Sequence, residues 1–258
     1  MSRPETLLTQ NSDLSRAGVW NWTLPAFVVT LSSGERFNAC PSAGPCARVC
    51  YARFGFYQFG NVKARHLANL EYVLEEPARW ETQMNLELRH RKFRPSGQPH
   101  DLEHDPSDEW MSRWISRGGS AIRIHDSGDF FAPWYLDRWL RIARDHPSML
   151  FYAYTKEIEM LIEREASLPQ NFRVIYSYGG LQDHLIDPER HRHADVFSQH
   201  SDLAEQGYTD QSDSDLIAAC APSLRIGIPS NNIPAANKRF AGRPMSALHP
   251  NRKESPDE

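Results

Sequence analysis

A chain of 258 residues is long enough to bury a full hydrophobic core, and (β/α) barrels commonly form a single domain at this length. Its net charge of −4 excludes a protein that binds nucleic acid through its overall charge, so any such contact has to be local. No stretch offers the roughly 20 apolar residues of a membrane-spanning helix, and residues 1–18 lack the apolar centre of a secretory leader. We therefore expect one cytoplasmic domain, residues 1–258, with its core at about 20–235 and a disordered tail at about 245–258.

The first predicted elements are a polar start and a short strand. Residues 1–20 are polar, which predicts a loosely ordered segment that becomes fixed near Trp20. Residues 26–31 are apolar and β-branched, and Pro25 and the turn residues 32–34 bound them. This pattern predicts a buried first strand that leads into a loop containing cysteines.

Three of the four cysteines, Cys40, Cys46 and Cys50, lie within eleven residues in the pattern C-x5-C-x3-C. Thiolates are the ligands that iron-sulfur clusters and zinc select, and three of them on a turning loop can converge on one centre. Disulfides fit less well, because one of three clustered cysteines would stay unpaired and a chain of this length can fold without disulfide bonds. The plain alternative is that the three are small buried side chains without a ligand.

Two helices are predicted after the cysteine loop. Apolar residues recur at three- and four-residue steps from residue 61 to residue 74, and again from Pro77 to about Arg91. Residues 92–107 lack periodicity and predict a loop, and residues 107–117 predict a helix that stops at two glycines.

From residue 121 onward, predicted strands and helices alternate, which is typical of βαβ units around a parallel sheet. The first strand signal begins at residue 121, in a run at 121–130 that passes from a strand into a polar turn containing glycine. Further strand signals lie at residues 149–155, 172–178, 194–197 and 224–230, and residues 199–215 predict an exposed loop. The functional groups of parallel α/β folds gather at the carboxyl ends of their strands. We therefore expect one shared site, formed by the cysteine loop, Ser127-Gly128-Asp129, Thr155-Lys156 and Ser177-Tyr178.

This arrangement resembles that of the radical S-adenosylmethionine (SAM) enzymes. Their partial (β/α) barrel carries a three-cysteine loop after the first strand and a Gly-Gly-Glu-like turn after the second, an order that residues 26–230 follow. Their usual cysteine spacing is C-x3-C-x2-C, from which C-x5-C-x3-C departs. The segments RIHDSGDF, FYAYTK and CPSAGPCARVCYA also resemble the gene-product-eighty-eight family of phages and mobile elements, which is itself similar to radical SAM enzymes.

The resemblance implies an α/β fold of the partial (β/α) barrel type and a radical SAM activity. Cys40, Cys46 and Cys50 would bind three irons of a 4Fe-4S cluster and leave the fourth iron open for SAM. A one-electron reductant such as a flavodoxin or ferredoxin would supply the electron that cleaves SAM to methionine and a deoxyadenosyl radical. That radical would abstract hydrogen from an unknown substrate, in the host cytoplasm if a phage encodes the protein.

The resemblance also assigns residues to SAM itself. Ser127, Gly128 and Asp129 would stand in place of the Gly-Gly-Glu turn and bind the SAM ammonium group. Lys156 would pair with the SAM carboxylate, and Ser177 would hydrogen-bond the ribose. The backbone around Gly227 would flank the adenine.

Two rival functions remain open at this point. A zinc- or iron-sulfur-stabilised module that binds nucleic acid or protein without catalysis would complete a closed site with Cys220 or His66. Its nucleic-acid form would use the basic residues of segment 89–94 together with Lys238, Arg239 and Arg243. A metallophosphoesterase would hold metals at Gly128-Asp129, but it requires a later Gly-Asn-His-type turn that the sequence lacks and gives the cysteines no role.

Several of these residues also have plain structural interpretations. Asp126 and Asp129 are residue types that form turns and cap helices, and Lys156 can simply be solvated. His125 fits a satisfied core histidine, and the strand tyrosines fit packing better than electron relay. For Cys220 we expect an inert buried thiol, because a fourth cysteine ligand would leave SAM no iron.

Overall fold

The computed structural model of the protein describes residues 3–93, 119–230, 240 and 242–248. The predicted helix at 107–117 and most of the predicted C-terminal tail lie outside these residues. Among the helices that are described, none is both long enough and apolar enough to cross a membrane.

A mixed α/β fold is built on one parallel sheet. The described strands are β1 Val19–Trp22, β2 Val28–Thr30, β3 Arg36–Asn38, β4 Ala121–Ile124, β5 Leu150–Thr155, β6 Phe172–Ser177, β7 His193–Phe197, β8 Thr209–Asp210 and β9 Arg225–Pro229. Seven of them form the sheet in the order β1-β4-β5-β6-β7-β9-β8, and every neighbouring pair is parallel. The remaining two, β2 and β3, pair antiparallel as a separate hairpin.

Four of the eight described α-helices begin at a start signal in their sequence. The eight are α1 Ser12–Arg16, α2 Cys46–Val49, α3 Gly60–Glu75, α4 Pro77–Leu88, α5 Pro133–Asp145, α6 Ile158–Ile162, α7 His200–Glu205 and α8 Asp215–Cys220. Proline opens α4 and α5, because its fixed φ suits the first turn and its missing N–H would go unbonded there in any case. The side chain of Ser214 caps α8 by accepting a hydrogen bond from the Leu216 N–H. The helices predicted at 61–74 and from Pro77 are confirmed.

Alternate residues of the strands build two different layers. One face, which we call the outer face, packs its apolar residues against α3, α4, α5 and α6 in the larger core. The opposite, inner face packs against α1 and α8 in a smaller core. The cross-strand register places Tyr152 beside Arg123 on the inner face, whereas their neighbours Phe151 and Ile122 point outward.

The structure corrects the predicted start of the sheet. The predicted strand at 26–31 is only Val28–Thr30, and it belongs to the half-exposed hairpin instead of the central sheet. The first strand of the sheet is β1, which precedes it. The N-terminal segment is ordered rather than loose, since Leu7 and Leu8 are buried in the larger core. A short β-branched run is compatible with either a core strand or a hairpin, and periodicity alone does not separate the two.

The predicted loop at 199–215 is also wrong in part. It contains α7 and the edge strand β8, which pairs with β9. Both elements are short, so each contains too few apolar residues for a helix or strand period to be recognised among the acidic and polar residues around it.

Candidate functional site

The carboxyl ends of the parallel strands open onto a cavity of about 1160 Å³. This volume is slightly above the range of about 300–1,000 Å³ that is usual for small-molecule sites. Every residue to which the resemblance assigns cluster or SAM binding lines it, except Gly227; these residues are Cys40, Cys46, Cys50, Ser127, Gly128, Asp129, Lys156 and Ser177. Gly227 instead faces Leu203, whose Cγ would lie 2.3 Å from an added Cβ.

The cysteine loop is fixed by backbone contacts with the turn that follows β6. The N–H groups of Gly44 and Cys46 both donate to the Gly179 carbonyl oxygen at 3.1 Å. Gly44 has no space for a side chain, because an added Cβ would lie 3.0 Å from that same oxygen. In turn, the carboxylate of Asp183 accepts hydrogen bonds from the N–H groups of Gly179 and Gly180, each at 2.8 Å. The loop therefore rests on a preformed turn.

A buried carboxylate holds the middle of the same loop. Glu157 accepts a hydrogen bond from the Ser42 N–H at 2.7 Å and a second from the Ser42 hydroxyl at 2.8 Å. Burial, reinforced by the charge of Asp129, raises the pKa of Glu157 to about 7. Neither residue is predicted from the sequence, because a Ser in a loop and a Glu at a strand end carry no distinctive spacing.

The three thiols are free and partly buried. Burial raises the pKa of each, and at Cys40 the negative charge of Asp129 adds to the effect. The Phe27 N–H donates to the Cys40 sulfur at 3.3 Å, from a left-handed backbone with φ of 60°. The protein alone therefore favours protonated thiols, so a bound cation would have to supply the charge that makes them thiolates.

Asp129 connects three elements of the site. Its buried carboxylate accepts hydrogen bonds from the Thr155 hydroxyl at 2.7 Å and from the Lys156 N–H at 2.9 Å. Its own N–H donates to the Ala39 carbonyl oxygen at 2.8 Å, which joins the turn after β4 to the cysteine loop. Asp129 is thus more than a simple turn former, and much of its hydrogen-bonding capacity is used within the protein.

The two residues before Asp129 are used for packing. The Ser127 hydroxyl donates to the Leu24 carbonyl oxygen at 2.5 Å. Gly128 has a φ of 84°, and an added Cβ would lie 2.6 Å from Leu24 Cβ, so only glycine fits. The turn predicted to bind a ligand therefore also closes the carboxyl end of β4 against the segment after β1.

Lys156 and Ser177 lie together in the cavity wall. The Lys156 ammonium donates to the Ser177 hydroxyl oxygen at 2.8 Å, which leaves the hydroxyl proton of Ser177 available to another acceptor. Burial alone would lower the pKa of Lys156, but the nearby acidic groups of Cys46, Asp129 and Asp183 outweigh it, and the pKa is raised. The side chain is therefore a fixed cation and not a solvated surface lysine.

A charged network on the inner face was not predicted. The Arg123 guanidinium lies 3.3 Å from carboxylate oxygens of Asp126 and Asp215. The hydroxyls of Tyr51 and Tyr57 donate to Asp126, and that of Tyr152 donates to Asp215. All six residues are hydrogen-bonded here, so the strand tyrosine Tyr152 has a polar role besides packing. Arg123 and Asp126 both lie in the segment RIHDSGDF, but a lone Arg-x-x-Asp spacing is too common to indicate a buried pair.

His125 lies in the core beneath this network. Its Nε2 is 2.8 Å from the hydroxyl of Tyr135, which also accepts a hydrogen bond from the Trp22 indole N–H. Because the Tyr135 oxygen already accepts from Trp22, its own O–H can donate to Nε2, and the single ring proton of His125 then lies on Nδ1. Burial lowers the pKa of His125 to about 3, so the ring is neutral. Its Nδ1 has no hydrogen-bond partner among the described residues.

The geometry gives little support to a closed mononuclear site. Within the described ranges, no three or more His, Cys, Asp and Glu side chains are arranged to hold one metal ion. Cys220 lies in the smaller core, away from the cavity lining, where burial raises its pKa to about 12. His66 packs its ring against Tyr57, and burial lowers its pKa to about 4. The two proposed fourth ligands therefore have other surroundings.

The basic segment 89–94 is partly engaged within the protein. Lys92 forms an ion pair with Glu87 at 3.2 Å, and its ammonium lies 4.8 Å from the ring centre of Trp20. Phe93 is buried. Arg94, Lys238 and Arg239 lie outside the described residues.

Comparisons with known proteins point to one family. The family model described as gene product 88 matches residues 5–243. The Gene 88 protein of Mycobacterium phage D29 is 28% identical over 150 residues, which are 58% of this chain and 55% of the phage protein. The Gene 88 protein of Mycobacterium phage L5 is 30% identical over 129 residues, which are 50% of this chain and 46% of the phage protein. The chain thus spans about half the length of the curated relatives it matches. No solved structure matches.

Proposed function

The chain belongs to the gene product 88 family, and we propose that it is a radical SAM-like enzyme with a fold of the partial (β/α) barrel type. One observation carries the proposal: three clustered cysteines line the same cavity as a fixed cation and the hydroxyl group to which that cation is hydrogen-bonded, at the carboxyl edge of a parallel sheet. In this proposal Cys40, Cys46 and Cys50 hold a 4Fe-4S cluster.

The order of the strands supports the barrel relationship. From β1 through β4, β5, β6 and β7 the spatial order follows the chain, without the reversal that defines doubly wound sheets. Helices α3 to α6 contribute to the core on the outer face alone, as they do around a barrel. No pairing among the described strands joins β8 back to β1, so the sheet is open in the manner of a partial barrel.

The thiols fit a cluster better than they fit a structural zinc ion. A structural zinc site needs four ligands that converge on one ion, whereas a cluster binds each thiolate to a different iron. The described residues offer three cavity-lining cysteines and no convergent group for a single ion. The Phe27 N–H that donates to Cys40 is the kind of contact that tunes the reduction potential of a cluster.

The cluster, when bound, would supply one electron to the SAM sulfonium, and the products would be methionine and a deoxyadenosyl radical. Lys156 provides a fixed positive charge for the SAM carboxylate, and it aligns the Ser177 hydroxyl for the ribose. Among the described residues, Oδ2 of Asp129 accepts one hydrogen bond, which leaves a second lone pair for the SAM ammonium group. Around these groups, the cavity walls would shield the radical from solvent.

The first test is the metal content of protein purified without oxygen. We expect about four irons and four sulfides per chain, the composition of a 4Fe-4S cluster, and an electron paramagnetic resonance signal of the reduced protein that changes when SAM is added. Replacing Cys40, Cys46 and Cys50 together with Ala should abolish the iron. The matched control is Cys220→Ala, which removes a thiol from the core and should keep the iron.

A second variant separates cluster binding from SAM binding. Lys156→Gln removes the charge but keeps a hydrogen-bond donor near Ser177, so the iron content should stay while the spectral response to SAM weakens. Full iron in the triple Ala variant would contradict the proposal. One zinc and no iron in the native protein would favour the binding module instead.

A further inference from the structure

The segment around the cysteine loop has a charge opposite to that of the rest of the protein. Residues 36–70 contain five Lys and Arg residues and no Asp or Glu. The remaining chain contains 24 Lys and Arg residues against 33 Asp and Glu residues. A locally positive region on an otherwise negative protein steers acidic partners to one place.

Three exposed phenylalanines lie within this basic segment. Phe54, Phe56 and Phe59 expose 36%, 78% and 55% of their surfaces, and the rings of Phe56 and Phe59 meet edge to face. Arg53 and Lys63, at either end, are exposed as well. We call residues 53–63 the aromatic-basic turn. Clustered exposed aromatic side chains contribute little to the fold, and such patches commonly mark interaction surfaces.

The aromatic-basic turn is joined directly to the third cysteine. The Arg53 N–H donates to the Cys50 carbonyl oxygen at 3.1 Å, and the Phe54 N–H donates to the Tyr51 carbonyl oxygen at 3.0 Å. On its inner side, Tyr57 is held by its hydrogen bond to Asp126. The patch is therefore a fixed surface, one short helical turn away from the proposed cluster.

We propose that the aromatic-basic turn is the docking surface for an acidic one-electron carrier protein; this inference rests on the proposed function. One electron leaves the carrier, which is oxidised, and reduces the cluster bound at Cys40, Cys46 and Cys50. Three exposed phenylalanines in a segment that begins and ends with an exposed cation match the enrichment of aromatic residues and arginine in protein interfaces. The rest of the chain carries 33 Asp and Glu residues against 24 Lys and Arg residues, which disfavours a long nucleic acid that extends beyond the patch, whereas a compact carrier needs only a small interface.

The test compares variants of the patch with matched changes elsewhere. Phe56→Ser removes the most exposed ring of the patch, and its control is Leu86→Ser, which removes a side chain that is 62% exposed on α4. Lys63→Glu reverses a charge near the start of α3, where an acidic residue suits the helix dipole. Its control is Arg190→Glu, another exposed cation far along the chain.

Two measurements are made on each full-length variant: the affinity for a flavodoxin at low salt, and the rate of cluster reduction by that flavodoxin and by dithionite. We expect each patch variant to bind at least about tenfold more weakly and to be reduced more slowly by flavodoxin, with unchanged reduction by dithionite. The controls should match the native protein. Equal flavodoxin affinity in all variants, or no flavodoxin binding at all, would overturn the proposal.

Binding of a single-stranded oligonucleotide tests whether the surface is instead a nucleic-acid site. If dT20 bound the native protein through Phe56 and Lys63 while flavodoxin did not, the surface would be a nucleic-acid site and the proposal would be wrong. The affinity measurement does not require the cluster. If a protein without iron bound flavodoxin through the patch, the proposed function would therefore be contradicted, whereas the docking surface would be supported.

Discussion

The two faces of the central sheet use the same strands for different purposes. On the outer face, Trp22, Trp80 and Trp139 pack ring against ring, with centroids 5.6 Å and 5.2 Å apart. On the inner face, the strand residues Arg123 and Tyr152 are bound to carboxylates instead. The outer face is stabilised by the larger apolar core, whereas the inner face combines a smaller apolar core with polar contacts beside the cavity.

The two faces also differ in the hydrogen bonding of their buried polar side chains. The indole N–H groups of Trp80 and Trp139 are buried without a hydrogen-bond partner among the described residues. On the inner face, Asp126 receives two tyrosine hydroxyls and a guanidinium. The Nε of Arg123 on the inner face is also buried without a partner among the described residues, but the carboxylates around it are well hydrogen-bonded. Changes on the outer face should therefore affect stability alone, and changes on the inner face should affect the site.

The largest expected effect is on the outer face. Trp80→Ala removes a fully buried ring that contacts Trp22, Tyr135 and Trp139, and it should lower the free energy of unfolding by about 3–5 kcal/mol. The control is Leu86→Ala on the same helix, where an exposed side chain should cost less than about 0.5 kcal/mol.

Urea denaturation of both variants measures the difference. The iron content per folded molecule of Trp80→Ala should equal that of the native protein. Loss of iron at unchanged stability would show that the two faces are not independent.

How much of this division could be predicted from the sequence depends on the element. The strands β4, β5 and β6 are predicted because their β-branched and aromatic runs end at glycine or polar residues, and the gathering of Cys40, Asp129 and Lys156 follows from parallel strands. Residues 26–31 are predicted as a core strand but form one strand of the hairpin. The β-branched residues at 28–30 suit a core strand and a hairpin equally well. The contacts of Glu157 with Ser42, and of Arg123 with Asp215, join residues 115 and 92 positions apart, and such long-range pairs leave no local signal.

A pH-dependent effect is expected at Glu157, on the inner side of the cysteine loop. Its pKa is raised from an ordinary 4.5 to about 7, chiefly by burial, so the folded protein binds this proton more tightly than the unfolded chain does. The contribution to stability is therefore full below about pH 4.5 and is lost as the pH rises through about 7, with a total of up to about 3 kcal/mol.

Glu157→Gln isolates this contribution, because glutamine keeps an oxygen acceptor for the Ser42 N–H but does not titrate. The free energy of unfolding of the native protein, minus that of the variant, should fall between pH 4.5 and pH 8. A difference that stays constant across that range would mean that Glu157 is ionised in the folded protein throughout.

The smallest expected effect on stability comes from removing a single tyrosine hydroxyl, either beside the cavity or between α3 and α4. Tyr57→Phe deletes one donor to Asp126, which keeps the contacts with Tyr51 and Arg123, so the stability loss should be about 0.5–1.5 kcal/mol. Tyr72→Phe deletes the donor to Gln83 between α3 and α4, at a similar cost. The two variants are thus matched in chemistry and in stability but not in location. Because Tyr57 lies in the aromatic-basic turn and orders it from beneath, only Tyr57→Phe should slow reduction by flavodoxin. Equal reduction rates in both variants would show that the charged network serves the fold alone and does not support the site.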